Sequence, residues 1–170
     1  QNRSEMSGHA IGMSMEGMRP LTLEVQALVS TAVYGTPQRS STGFNSKRLN
    51  MLLAVLEKRA GVQLSNKDVF LNITGGVKSE DPSLDLAIVS AILSSYHDTP
   101  LNDKICFASE IGLSGELRPV HKLDKRISEA KKLGYQEFVT SNFKKDFTEK
   151  KGIKILGLDK IGSLITTLFK

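Results

Sequence analysis

Apolar residues recur along this chain with two different periods, and the switching between them constrains the fold more than any other feature. Leu21, Leu23, Val25 and Ala27 alternate with Thr22, Glu24 and Gln26, the pattern of a half-buried strand. Leu49, Leu52, Leu53 and Leu56 then recur at helical spacing. The stretch "DVFLNITGG" (68–76) reads as a buried strand, and "DPSLDLAIVSAILSSY" (81–96) as a helix with Leu86, Val89 and Leu93 along one side. Strand and helix keep alternating to the end, through "EFVTS", "IKIL" and a last helix over about 159–169. Such a chain builds a mixed α/β layer structure.

Turn residues set the boundaries. "GHAIGMSMEG" and "RPLTLEVQALVS" read as two strands joined at Gly17 and Pro20, and 34–45, rich in Gly, Pro, Ser and Thr, as a loop. Ser46 caps a helix that Gly61 stops, and Asp81 with Pro82 starts the next. Residues 104–120 read as a hairpin turning at Ser114 and Gly115, followed by a helix over 123–133 that ends at Gly134.

A length of 170 residues suits a single domain over 1–170, and 39% hydrophobic with 24% charged residues is a globular balance. No apolar run reaches the roughly 20 residues that span a bilayer, and the start carries no secretory signal, so a cytoplasmic location is expected. A first residue of Gln rather than Met suggests a piece of a longer protein. The single Cys106 lies in the apolar "ICFA", excludes an internal disulfide and reads as a buried hydrophobe. His9, His97 and His121 lack metal-ligand spacing, so no metal site is expected, and no phosphate-binding G-x-x-x-x-G-K-[ST] occurs. A net charge of +5 favours polyanionic partners.

Two strings carry a family resemblance: "ITGGVKSEDPSLDLAI" and "SEIGLSGELRPVHKLDKRISEAKKLGY". They resemble the proteolytic domain of Lon proteases and, more closely, the C-terminal Lon-like domain of the RadA (Sms) DNA repair proteins. The likeness runs from "EGMRPLTLEVQALV" through "NMLLAVLEKRAG" to the last helix. It implies an α/β (α+β) fold of the Lon proteolytic type, related to the second domain of ribosomal protein S5. It also implies a zinc motif and a RecA-like, DNA-dependent ATPase ahead of these residues. ATP, Mg and zinc would belong to that missing N-terminal part, leaving this fragment without a cofactor. The partners implied are DNA, further copies of the chain in a ring expected to be a hexamer, and recombination proteins. The implied role is processing of recombination intermediates in DNA repair after DNA damage.

Lon proteases use a Ser–Lys dyad, in which a partly desolvated lysine takes the proton of a serine that is otherwise a poor nucleophile. The resemblance places that serine at Ser83 and the lysine position at Asp124, so a vestigial, non-catalytic site is expected. Neighbouring Lys122 and Lys125 do not substitute: a shift of one residue on a helix turns Lys125 by about 100°, and Lys122 lies before the helix proper, where the pattern sets no direction for it. The flanking Asp81 and Asp85 oppose a developing oxyanion, which needs donors aimed at it. The alternative is a Ser–Lys, Lon-type ATP-dependent peptidase with Ser83 as nucleophile.

The non-catalytic reading makes the domain a ring-forming scaffold that touches the DNA backbone. Candidate contacts are Arg39, Lys47, Arg48, Arg118, Lys122, Lys125 and Arg126, each of which could equally be a solvated surface charge. Lys144, Lys145, Lys150 and Lys151 read as plain solvated surface. With 6% aromatics and no Trp, no platform for stacking single-stranded bases is evident.

Overall fold

The computed structural model describes residues 6–74, 78–142 and 152–169. The strands among them are β1 (His9–Glu16), β2 (Arg19–Thr31), β3 (Arg39–Thr42), β4 (Lys67–Ile73), β5 (Ile105–Ala108), β6 (Glu110–Ile111), β7 (Leu117–Arg118), β8 (Glu137–Ser141) and β9 (Lys154–Leu158). The α-helices are α1 (Ser46–Ala60), α2 (Asp85–Tyr96), α3 (Leu123–Lys132) and α4 (Ile161–Leu168). Seven strands form one sheet in the order β3-β4-β2-β1-β5-β8-β9, and β6 with β7 form a separate ribbon. β2 pairs antiparallel with β1 and β4, and the other pairings of the large sheet are parallel. The fold is mixed α/β, as the alternating periods require.

Both faces of the sheet are used. Residues from α1, α2 and α4 join Leu23, Val25, Val69, Leu71 and Phe107 in the larger core. Ile127 and Ala130 of α3 pack with Ile11, Met13, Cys106 and Phe138 in a smaller core. The α1 stripe is buried as expected at Leu49, Leu52, Leu53 and Leu56, and Gly61 closes the helix with a left-handed φ of 69°. The N-cap is Asn45 rather than Ser46, its side chain accepting the Arg48 N–H.

Three further expectations are corrected. The segment 34–45 is not all loop, because Arg39–Thr42 pairs in parallel with β4. It is an edge strand of polar sequence, with one neighbour to satisfy and little to bury. Residues 104–120 are not one hairpin either: β5 is a fully buried strand between β1 and β8, and only β6 and β7 pair across the turn. A continuous apolar run is the signature of such a buried parallel strand.

The last correction concerns α2, whose residues Asp85–Ser94 are buried all round, not along one stripe. The helix packs on β1, β2 and β5 and also touches α1. Its close approach depends on Gly12, where a Cβ would stand 2.5 Å from Leu84 Cδ1 and 3.1 Å from the Ala87 Cβ.

Candidate functional site

The stretch "DPSLD" is more than a helix start. Asp81 caps a 3₁₀ turn (Pro82–Leu84), its Oδ1 accepting the Ser83 N–H at 3.0 Å, and α2 begins only at Asp85. Pro82 occupies the first turn position, where its missing N–H costs nothing. The Leu84 N–H goes to the Asp81 carbonyl at 3.1 Å. Both amides that flank the serine are therefore satisfied inside the turn.

Ser83 is 1% exposed and faces Arg126, which rises from α3 and is fully buried. Arg126 Nη1 donates to Ser83 Oγ at 2.6 Å, to the Met13 carbonyl at 2.8 Å and to Asp81 Oδ2 at 2.9 Å. Its Nε donates to the His121 carbonyl at 2.9 Å. Asp81 Oδ2 also accepts the Met15 N–H at 2.7 Å. Burial pushes the Asp81 carboxyl up, yet the two backbone N–H groups and the guanidinium outweigh it and hold the carboxyl below its ordinary value. One arginine thus ties α3, β1 and the 3₁₀ turn together.

The second aspartate is tied in the same way to a second arginine. Asp85 is fully buried and receives Arg48 on both oxygens, Nε donating to Oδ1 at 2.8 Å and Nη2 to Oδ2. The Ile111 N–H donates to Oδ2 at 3.0 Å. Burial is the strongest influence here and keeps this carboxyl above its ordinary value despite both partners. Arg48 also lies 3.6 Å from Glu110 on the ribbon.

Chemically, the group on the Ser83 hydroxyl is a guanidinium, which offers N–H donors and no acceptor. A serine activated for attack needs the opposite. Asp124, where the resemblance puts the Lon lysine, is exposed in the first turn of α3. The residue that reaches Ser83 is instead two positions further along the helix. The resemblance could not locate it, because Arg126 reads as one more cation in a basic segment.

The candidate DNA contacts divide sharply. Arg126 is corrected outright: it is buried and ion-paired, with no surface to offer a phosphate. Arg48 is 29% exposed and already paired, and half-buried Arg39 donates to the Leu64 carbonyl. Lys47, Arg118, Lys122 and Lys125 are exposed. Lys122 adopts φ 58° just before α3, and Lys125 Nζ donates to the Met18 carbonyl at 3.3 Å. Lys47 lines a cleft of about 940 Å³ with Arg48, Asp81, Glu110 and Lys78. Lys78 escaped the sequence reading, although it stands between a glycine pair and "DPS".

Lys144, Lys145, Lys150 and Lys151, with Gly75 and Gly76, lie outside the described residues. Among those described, no group of three or more His, Cys, Asp or Glu could hold a metal ion. His9 bonds Glu24 at 3.1 Å, His97 stacks on Phe169 and His121 is exposed. Cys106 is buried, which pushes its thiol up to about 12. No described helix is long and apolar enough to cross a membrane.

Comparison with known proteins gives two findings. Residues 23–143 match the model of the family ChlI, described as subunit ChlI of Mg-chelatase. The chain is also similar to proteins named DNA repair protein RadA. It is 43% identical to that of Bacillus subtilis over 95% of the chain and 35% of the relative. Identity to that of Streptococcus pneumoniae is 43% over 96% of the chain and 39% of the relative. For Listeria monocytogenes it is 39%, over 94% and 35%. The chain thus spans little more than a third of the length of these relatives.

Proposed function

The chain belongs to the ChlI family, with DNA repair proteins as relatives along nearly all its length, and we propose that it works as a non-catalytic, Lon-protease-like domain of a RadA-type repair protein. Its tasks in this reading are to touch the DNA backbone and to scaffold self-assembly into a ring. Any nucleotide-driven step falls to parts of the relatives that this chain does not span.

The observation that carries the reading is the Arg126 guanidinium 2.6 Å from Ser83 Oγ. It puts a permanent cation where a peptidase needs a base, and Asp81 occupies the amides that an oxyanion would need. The one serine with a protease-like setting serves as a structural hydroxyl. What remains available for function is the surface, and its exposed cations suit phosphate without reading bases.

Two measurements on one preparation test this. A fluorophosphonate probe should leave Ser83 unlabelled, and a labelled DNA duplex should bind with an affinity that falls steeply as salt rises. Labelling that disappears in Ser83→Ala would revive the peptidase reading. Absence of salt-dependent binding would remove the DNA contact and leave the scaffold role.

A further inference from the structure

The geometry points to Glu110 as an internal stand-in for a DNA phosphate, a built-in competitor at the backbone-contact surface. The inference rests on the DNA-contact reading and deepens it.

Glu110 Oε2 lies 3.6 Å from Arg48 Nη2, and its side chain is 36% exposed. Arg48 does not need it. Asp85 already meets that guanidinium through both carboxylate oxygens, so one positive charge carries two negative ones. Glu110 also stands directly opposite Arg118 in the β6–β7 ribbon, where paired residues project from the same face. It lines the same cleft as Lys47. Among the described residues, neither Lys47 nor Arg118 has an ion-pair partner within salt-bridge distance.

A superfluous carboxylate beside Arg48, in register with Arg118 and in the cleft that Lys47 lines, presents the same kind of acceptor oxygens as a phosphodiester. Arg48 has donors to spare, since a guanidinium carries five N–H bonds and Asp85 engages only part of them. A phosphate that replaced Glu110 would meet Arg48, with Arg118 opposite on the ribbon and Lys47 along the same cleft. Glu110 therefore weakens binding by occupying the place and by repelling the incoming charge.

The test is fluorescence anisotropy of a fluorescein-labelled duplex against the full 170-residue chain over a range of salt. Glu110→Gln should tighten binding by roughly five-fold at low salt and steepen the salt dependence by about 0.9 in the logarithmic slope, one further duplex phosphate. Glu129→Gln makes the same change in net charge on α3, where Glu129 pairs with Lys132, and should shift affinity far less. Adding Arg118→Ala to Glu110→Gln should abolish the gain. Unchanged affinity in Glu110→Gln, when the unmodified chain binds DNA, overturns this inference alone. An equal gain in Glu129→Gln does so as well, since the effect would be net charge and not place. If the unmodified chain and both variants fail to bind at any salt, the DNA-contact reading itself falls and takes the inference with it.

Discussion

Arg126 Nη1 stands 2.6 Å from Ser83 Oγ although the two residues are 43 apart in the chain. Two hydrogens on that nitrogen serve three acceptors on two elements, the Met13 carbonyl of β1 and the Asp81 and Ser83 side chains of the turn. A buried ion pair is a weak stabiliser against an apolar replacement, but removing one partner strands the other. The cluster is therefore sensitive to truncation from either end.

Arg126→Ala should accordingly lower stability by about 3–5 kcal/mol, because Asp81 would keep a buried charge without its counterion. Ser83→Ala should cost far less, since the hydroxyl is one of several acceptors for the same nitrogen and a satisfied hydrogen bond is worth about 1 kcal/mol net. Urea midpoints with unchanged slopes would measure both. A loss below about 1 kcal/mol for Arg126→Ala would show that the cluster does not hold α3 to the turn.

The two aspartates should respond to acid with opposite signs. Asp81 has a folded pKa below its unfolded one, which lies at about 3.9. Its stabilisation is present above the unfolded pKa and is lost as pH falls through the folded value. Asp85 has a folded pKa above its unfolded one, so its contribution is greatest below the unfolded value and is lost as pH rises through the folded one. Moving from neutral to mildly acidic pH should relieve Asp85 first, and further acid should then remove the Asp81 contribution. Asp85→Asn should flatten the first limb of a stability–pH curve, and Asp81→Asn the second. Identical curves for the two variants would contradict the assignment.

Much of this was legible in the sequence, and the gaps have physical causes. Leu52 and Leu53, the Gly61 stop, and the strands around Gly17 followed from period and turn chemistry, which are local signals. β3 was hidden because an edge strand that buries little needs no apolar alternation. β5 was misplaced because a four-residue apolar run does not say which neighbours it will have. Arg126 was misjudged for a related reason: whether a guanidinium is solvent or core depends on what another element presents to it. Here that was Asp81, 45 residues earlier. Gly12 carries no local signal of its role, which depends on the turn and α2 that lie over it.

That close approach makes a stability prediction. Gly12→Ala would bring a methyl to 2.5 Å from Leu84 Cδ1 and 3.1 Å from the Ala87 Cβ, so the buried Leu84 side chain must shift and Ala87 must give by a few tenths of an ångström. Overpacking of this kind costs about 1–3 kcal/mol. Leu53→Ala and Leu86→Ala, at 1% and 0% exposure, should cost roughly 2–5 kcal/mol each through the cavities left behind. Melting temperatures unchanged in all three would mean that the helices pack differently on the sheet.

The sharpest test of the proposed DNA contact compares exposed with buried arginine. Arg118 and Lys122 are exposed and make no ion pair among the described residues, so alanine there removes a phosphate partner and little else. Each substitution should weaken duplex binding about equally for any base sequence and lower the logarithmic salt slope by about 0.9. Folding should be intact by melting temperature. Arg126→Ala should do the reverse, with a large loss of stability and, at temperatures where the variant is still folded, an unchanged salt slope. An intact fold with unaltered affinity and slope in Arg118→Ala and Lys122→Ala would place the DNA contact elsewhere on the surface. A lowered slope in folded Arg126→Ala would mean that this guanidinium leaves Ser83 to meet phosphate, which its burial behind three acceptors argues against.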